Sequence, residues 1–312
     1  MSQAGCGEEA GVVRIVDSAK GRPLRWILQL LGVVVSVDLG SGVEKRRRYV
    51  FCLGSIMCVV WWFSPAITDN AAIAEEPEPR NTPWQPLEFN MPDRLTPEQI
   101  EELNKLQERY FNENVDIFEP PLPEGVPERL KATIKASQLR PGERVLDVGT
   151  GTGILIPYIL KHRPSEIHVC DLSANMLRRV KSKFPQVKTH LSDVRDLLLA
   201  DDSLDVVFIN ACFSNIMDKS GSLNNLYRLL RPKGRLVISH PLGRDFIIEL
   251  KKHTPFHLDL LPDEASARAL FGQHGFEIVS FRDEPLYYLL VGMTTKHGEP
   301  SVASRGTQTH FA

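Results

Sequence analysis

The chain has 312 residues, of which 42% are hydrophobic and 24% are charged, and its formal net charge at pH 7 is -2. This length allows one large domain or two small ones, and the composition is typical of a globular protein. The charge gives no reason to expect binding of nucleic acid through bulk electrostatics, so we expect no nucleic-acid partner, with a local basic patch as the open alternative. No two of the five cysteines have the C-x-x-C spacing of common zinc and redox sites.

The first 74 residues differ from the rest and predict a targeting leader. A basic run, Lys45 to Arg48, precedes an uncharged segment, 49–67, and small residues follow at Ala72 and Ala74. These are the three parts of an export signal. Because a long stretch of chain precedes the signal, the arrangement resembles the two-part targeting sequences of plastid proteins and predicts a chloroplast location, at the thylakoid or another membrane. The acidic start of the chain departs from that pattern.

Two other interpretations of the leader therefore stay open. Segment 49–67 is also consistent with an uncleaved membrane anchor in another compartment, and the start of the chain with an untidy gene start. Residues 75–93 are proline-rich and predict a linker. The folded domain is predicted over 94–293, with N-terminal helices in 94–140, and residues 294–312 predict a disordered tail.

The N-terminal helices are predicted from capping signals. Thr96, Pro97 and Gln99 combine a capping box with a proline at the first helical position. A second helix is predicted from Pro127 to about Ser137, where the following Pro-Gly turn ends it.

From Arg144 onward, short apolar strands alternate with helices, a pattern that predicts a parallel sheet covered on both faces. The last two strands are joined only by about residues 283–285, and a connection that short permits only an antiparallel hairpin. The predicted fold is therefore α/β, with a seven-stranded, mostly parallel, doubly wound sheet that ends in an antiparallel hairpin.

The segment RVLDVGTGTG, residues 144–153, ends the first strand with Gly149, Gly151 and Gly153. In an open α/β sheet, ligands bind beyond the carboxyl ends of the strands, and glycines let a ligand approach the backbone closely. A dinucleotide loop, G-x-G-x-x-G, would need a glycine where Ile154 stands. The spacing therefore disfavours an NAD(P)-dependent oxidoreductase.

Asp147, two residues before the first glycine, completes a pattern that resembles motif I of the class I S-adenosylmethionine-dependent methyltransferases. The resemblance covers roughly residues 127–293 and every strand in order. It implies a Rossmann-like methyltransferase fold, S-adenosylmethionine as cofactor and no metal.

The resemblance also implies roles for individual residues. Asp147 would anchor the methionyl part of the cofactor, Asp171 would accept from both ribose hydroxyls, and Asp193 would accept from the adenine amino group. Asp171 could instead cap the following helix, and Asp193 could simply form a turn. The full set of candidate cofactor-binding residues is Asp147, Gly149, Thr150, Gly151, Gly153, Asp171, Leu172, Asp193, Val194 and Asn210.

The acceptor side is expected beyond the fourth and fifth strands. His240, at the end of the fifth strand, is the candidate base, or else a histidine hydrogen-bonded at a strand end. Phe213, Asn215 and Arg244 are candidate substrate-side residues, although Arg244 could simply pair with Asp245.

The favoured function is methyl transfer to a small molecule, with a lipophilic acceptor such as a prenylquinone suggested by the leader. A catalytically degenerate, cofactor-binding assembly factor is the main alternative, and an oxidoreductase the weaker one. Segment 49–67 would provide any membrane association. No pattern indicates an oligomeric state.

Overall fold

The computed structural model describes residues 95–297. The predicted leader, its apolar segment 49–67, the linker up to residue 93 and the tail from residue 298 lie outside the described residues. Within residues 95–297, no helix has both the length and the apolar character needed to cross a membrane.

The N-terminal helices are as predicted. Helix α1, Pro97–Glu113, begins with both hydrogen bonds of the capping box: the Thr96 hydroxyl accepts from the Gln99 N–H, and the Gln99 side chain accepts from the Thr96 N–H. A 3-10 turn, Val115–Phe118, follows, and then helix α2, Val126–Ser137. Both helices precede the sheet in the chain.

The sheet has seven strands in the order β3-β2-β1-β4-β5-β7-β6. Strands β1 to β5 pair in parallel, and β7 pairs antiparallel with both β5 and β6. The predicted mixed sheet with its terminal hairpin is confirmed. The strands are β1 Arg144–Val148, β2 Glu166–Asp171, β3 Lys188–Leu191, β4 Leu204–Asn210, β5 Leu230–His240, β6 Phe276–Glu284 and β7 Tyr287–Thr294.

The remaining helices are α3 Ile156–Leu160, α4 Ala174–Lys183, α5 Lys219–Leu229, α6 Gly243–Lys251 and α7 Glu264–Gln273. Helix α3 is shorter than the apolar run after β1 suggests, because Gly151 and Gly153 have positive φ and keep the chain out of the helical conformation. Helix α6 was not predicted from the sequence.

The order of the strands determines where a ligand can bind. The chain leaves β1 for β2 and β3 on one side, and returns to β4 and β5 on the other. The crevice of such a sheet lies beyond the carboxyl end of β1, between β2 and β4. Strand β4 is buried along its whole length, so its side of the crevice is part of the core.

The packed region extends slightly past the predicted end of the domain at residue 293. Thr294 is the last residue of β7, and its hydroxyl donates to the Arg231 carbonyl at 2.9 Å. Lys296 forms an ion pair with Asp202. The first residues of the predicted tail therefore pack against the sheet.

Candidate functional site

The three glycines after β1 do not share one role, although the sequence assigned all of them to close approach of a ligand. All have positive φ, with values of 59°, 54° and 83°. A Cβ on Gly149 would lie 2.1 Å from Cys212 Sγ, and one on Gly153 would meet Ile156 Cδ1 at 2.9 Å. Packing within the domain requires those two glycines. Only Gly151 faces open space, with no atom within 4 Å of a Cβ there.

Asp171, at the end of β2, is joined to this loop. Its carboxylate accepts from the Gly151 N–H at 2.9 Å and from the Ser173 N–H at 2.9 Å. Ser173 is the N-cap of α4, with its hydroxyl accepting from the Met176 N–H, so the interpretation of Asp171 as that cap is wrong. Burial raises the pKa of Asp171, although the amide donors oppose the shift. Leu172, the next residue, is half-buried.

Asp147, inside β1, is almost completely buried and accepts a hydrogen bond from the Thr150 hydroxyl at 2.7 Å. Burial, opposed by Thr150 and reinforced by the charge of Asp171, raises the pKa of Asp147 to about 7. Within residues 95–297, neither carboxylate has an ion-pair partner. A cationic ligand would therefore stabilise both.

Asp193, after β3, caps the 3-10 turn Val194–Asp196 by accepting from the Arg195 N–H at 2.9 Å. The turn-forming role that the sequence left open is therefore present. Its second oxygen accepts from Asn104 Nδ2 of α1 at 2.6 Å. An adenine amino group would have to share or displace that bond.

The end of β4 has an unusual backbone. Ala211 has a φ of 54°, a conformation that costs a non-glycine residue about 1 kcal/mol or more. Its N–H donates to the Ser239 carbonyl at 2.8 Å, and the Asn210 side chain accepts from the Ser239 hydroxyl at 3.0 Å. These bonds hold the turn at the edge where the sequence placed the methionyl group.

Helix α1 spans the carboxyl edge through three polar side chains that sequence reasoning missed. Asn104 donates to Asp193, Gln107 donates to the Asn215 carbonyl at 2.9 Å, and Asn112 accepts from the Ser173 hydroxyl at 2.8 Å. One helix thus bonds to the loops after three strands. Gln107 is 2% exposed on the inward face of an amphipathic helix, and a polar residue there was the available signal.

His240 does not have the surroundings of a base. It is 5% exposed, its ring stacks on Phe246, and burial lowers its pKa to about 3. Its Nδ1 accepts from the Leu242 N–H at 3.3 Å, so the neutral ring carries its proton on Nε2 and has no free acceptor nitrogen. The hydrogen-bonded strand-end interpretation fits the geometry, and the base interpretation does not.

The three substrate-side residues also differ from expectation. Phe213 is buried and packs on Phe271 of α7, because an apolar ring directly after a central strand is drawn into the core. Arg244 pairs with Asp283 of β6 at 2.9 Å, not with the neighbouring Asp245. Asn215 is half-buried and receives the Gln107 bond at its carbonyl oxygen. Asn215 therefore stays at the carboxyl edge, and Arg244 is held there by its ion pair.

Aromatic side chains cluster at the carboxyl edge of the sheet, on the side of helix α1. Tyr110 and Phe111 of α1 lie 5.2 Å and 5.7 Å, between ring centroids, from Phe256, and Phe111 lies 5.5 Å from Phe118. We call these four residues the aromatic roof. Phe256 belongs to the segment after α6, which follows the fifth strand in the chain, beyond which the acceptor side was expected.

Comparison with known proteins identifies the family. Residues 146–238 match the family model of a methyltransferase domain. They include the aspartate and glycines of the loop, together with strands β2 to β4 and most of β5. Residues 146–238 therefore match a methyltransferase domain, and the seven-stranded sheet that contains them has the class I methyltransferase fold.

Relatives of this methyltransferase domain include quinone-modifying enzymes. The chain is 30% identical over 137 residues to the ubiquinone/menaquinone biosynthesis C-methyltransferase of Geotalea daltonii, covering 41% of this chain and 58% of that protein. It is 29% identical over 175 residues to the demethylmenaquinone methyltransferase of Streptomyces avermitilis, covering 55% and 69%. The chain spans about half the length of the first curated relatives it matches.

A solved structure shares the fold of the methyltransferase domain. It is the 1,6-didemethyltoxoflavin-N1-methyltransferase of Burkholderia thailandensis, with bound 1,6-didemethyltoxoflavin and S-adenosylhomocysteine. The TM-score is 0.50 at 17% identity, covering 66% of this chain and 93% of that chain. A likeness at this identity establishes the fold alone.

Proposed function

We propose that this domain transfers a methyl group from S-adenosylmethionine to a small, lipophilic acceptor with a hydroquinone-like ring. One observation carries the proposal: the buried Asp147 and the half-buried Asp171 lie close enough to interact, lack a cationic partner among the described residues, and adjoin the open face of Gly151. Buried charges are normally paired, so the site has the electrostatics of a receptor for a cation.

S-adenosylmethionine fits this receptor chemically. It is a cation that supplies an electrophilic methyl group on sulfur, and it carries hydroxyl and amino donors for carboxylates. Asp147 would lie nearest the positively charged methionyl end, and Asp171 would accept from the ribose hydroxyls with its remaining lone pairs. Gly151 would allow the close approach that its open face permits. Asp193 and the Val194 backbone would meet the adenine ring.

The chain's own contribution is to orient the reactants and to exclude water. Helix α1 is bonded to the loops after β2, β3 and β4, and so it can hold a ligand against the sheet edge. The turn at Ala211 fixes the backbone beside the expected position of the methyl group. No catalytic group need contact the methyl carbon itself.

The acceptor class rests on two supports. The aromatic roof offers flat, apolar surfaces to a planar ring, with Tyr110 and Phe111 both half-buried. Both curated relatives described above carry names that refer to ubiquinone or menaquinone chemistry. A hydroquinone is a planar apolar ring with ionisable hydroxyls, and it matches both.

We further propose that residues 1–74 direct the protein to the chloroplast, where segment 49–67 brings it to a membrane that contains such acceptors. The basic run, apolar segment and small residues in the sequence support this location. Fusion of residues 1–74 to a fluorescent protein in plant cells should produce plastid fluorescence. Cytosolic fluorescence would contradict the location without affecting the reaction.

The reaction is tested first by binding. The 312-residue chain, in mild detergent, is titrated calorimetrically with S-adenosylmethionine, S-adenosylhomocysteine and NADH. We expect the first two to bind and NADH not to bind. Absence of all binding would contradict the proposal, and binding of NADH alone would favour the oxidoreductase. A degenerate assembly factor would bind the first two ligands without methylating an acceptor.

A further inference from the structure

The segment after α6 brings a second polar group to the proposed site. The Asp259 N–H donates to the Ser214 carbonyl at 3.0 Å, in the turn that follows β4. Phe256, three residues earlier, packs on Tyr110 and Phe111 of α1. Residues 257–259 therefore connect the aromatic roof, at Phe256, to the turn that follows β4.

Within this segment, His257 and Asp259 form a hydrogen-bonded pair. Nε2 of His257 lies 2.8 Å from Oδ1 of Asp259, and the His257 side chain is 13% exposed. The other carboxylate oxygen of Asp259 pairs with Lys219 Nζ, which also donates to the Ile216 carbonyl at 2.9 Å. Lys219 is nearly buried over the Phe213 ring, so it fixes Asp259 from the core side.

The protonation of this pair follows from its contacts. Burial opposes ionisation of Asp259, but the charge and hydrogen bond of Lys219, with the bond from His257, hold its pKa below the ordinary value. An ionised Asp259 can only accept, so Nε2 of His257 must donate. The proton of the neutral ring is thus on Nε2, and the lone pair is on Nδ1. No described residue bonds to Nδ1.

His257 therefore differs from His240 in the feature that a base requires. In His240 the nitrogen with the lone pair is occupied by the Leu242 N–H, and the ring is enclosed by Phe246. In His257 that nitrogen is free, and a carboxylate fixes the other. A carboxylate-oriented imidazole with a free nitrogen is an effective proton acceptor near neutral pH.

We propose that Nδ1 of His257 accepts the proton released by a hydroxyl of the hydroquinone acceptor, with Asp259 and Lys219 as positioning residues. This inference rests on the proposed function. The hydroxyl proton moves to Nδ1, and the ring's electron pair forms the new bond to the methyl carbon. The electron pair of the broken carbon–sulfur bond stays on sulfur. The ring carbon then loses its hydrogen as a proton to solvent water, and the imidazolium returns its proton to the ring oxygen, so one proton is released per methyl group transferred.

Several titratable groups surround the pair and bear on its pH dependence. Asp259 is on the same segment, Lys219 is on α5, and Lys251 of α6 acts on Lys219. Cys212 and the Tyr110 hydroxyl are the nearby weak acids, and burial raises the pKa of each thiol or phenol above its ordinary value. Neither is ionised near neutral pH. Neither can therefore accept the hydroxyl proton in place of His257.

The test compares His257→Gln and Asp259→Asn with the unaltered chain. 1,4-Dihydroxynaphthalene is the methyl acceptor, and formation of S-adenosylhomocysteine is measured against pH. General bases typically contribute about 100-fold to 10,000-fold, so we expect His257→Gln to slow turnover by about 100-fold. Affinity for S-adenosylhomocysteine should stay unchanged.

Two readouts do not depend on turnover. In the complex with S-adenosylhomocysteine, the unaltered chain should ionise bound 4-nitrophenol, whose colour reports its ionisation, more than His257→Gln does. Nitrogen NMR of the imidazole should show the Nε2–H form, and Asp259→Asn should shift the proton toward Nδ1. Equal ionisation of the phenol in both proteins, including none in either, would overturn the proposal.

His253→Gln is the matched control. His253 also pairs through Nε2 with a carboxylate, Glu249 at 3.2 Å, but both side chains are exposed. Its substitution should leave every readout at the unaltered value, and an equal loss in both histidine variants would overturn the assignment to His257. Failure of S-adenosylhomocysteine to bind any of the proteins would instead remove the proposed function. Normal binding with an unchanged rate in His257→Gln would remove the base alone.

Discussion

The carboxylates at the amino edge and at the carboxyl edge of the sheet have different kinds of partner. At the amino edge, Glu143 is held by Arg235 at 2.6 Å, and Asp205 accepts from the Arg144 N–H at 2.7 Å while pairing with Arg231. At the carboxyl edge, Asp147 and Asp171 bind only hydroxyl and amide donors. Charges that the fold neutralises are structural, and charges that it leaves without a cation are available to a ligand.

Carboxylates at the two edges therefore differ in what they contribute to stability and to ligand binding. A paired carboxylate contributes to folding, and removing it exposes its partners. An unpaired, buried carboxylate costs stability in the free protein and recovers that cost when a cation binds. Substitutions at the carboxyl edge should therefore change binding, and those at the amino edge should change stability.

The largest effect is expected from Gly151→Val. A side chain there fills the open face of the loop, so S-adenosylmethionine binding should be undetectable by calorimetry. Gly142→Val is the matched control, because Gly142 also has positive φ and open surroundings but lies just before β1, at the amino edge. Both variants should lose about 1–2 kcal/mol of stability from backbone strain, and only the first should lose binding. Unchanged affinity in Gly151→Val would remove the glycine loop from the site.

The second effect is on stability. Asp205→Ala removes a 3% exposed carboxylate and leaves the Arg144 N–H without its acceptor. The free energy of unfolding should fall by about 2–4 kcal/mol, because breaking a buried pair leaves its partners unsatisfied, and the half-exposed Arg231 moderates the loss. Urea unfolding measures this. The folded fraction should still bind S-adenosylmethionine normally, and a parallel loss of affinity would break the contrast between the edges.

The third effect is on affinity. Asp171→Ala should weaken S-adenosylmethionine binding by about 1–3 kcal/mol, through loss of the acceptor for the ribose hydroxyls and for the Gly151 N–H. Comparison of adenosine with 2′-deoxyadenosine separates the two causes. In the unaltered chain the deoxy ligand should bind more weakly, and in the variant the difference should vanish. A persistent difference would mean that another residue holds the ribose.

The sheet was predictable because its signals are local. Strands β1, β2 and β4 are short apolar runs separated by turn residues, and the capping box at Thr96 marks the start of α1 within four residues of sequence. Helix α6 was missed because it begins at Gly243, with positive φ and no side-chain cap, so no start signal precedes it.

The site was only partly predictable. The place of Gly151 follows from the strand-loop geometry of a parallel sheet, and the roles of Asp147 and Asp171 follow from the resemblance to the class I methyltransferases. The side chain of Asn104 reaches Asp193 across 89 positions of sequence, and Lys219 reaches Asp259 across 40. No local pattern encodes such contacts. His240 was a candidate base because of its position at a strand end. Its ring packs inward instead, and that orientation depends on the tertiary location of Phe246.

The smallest effect is the most direct test. Burial and Asp171 hold the pKa of Asp147 at about 7 in the free protein, and a bound cation favours the ionised form and so lowers it. Below about pH 7, binding of S-adenosylmethionine should therefore release a proton, and affinity should fall with pH by at most about tenfold per unit. The measurement is calorimetric titration at pH 6.5 in two buffers of different ionisation enthalpy, with Asp147→Asn alongside. The account predicts a buffer-dependent heat in the unaltered chain and none in the variant. Equal heats in both buffers for the unaltered chain would contradict it.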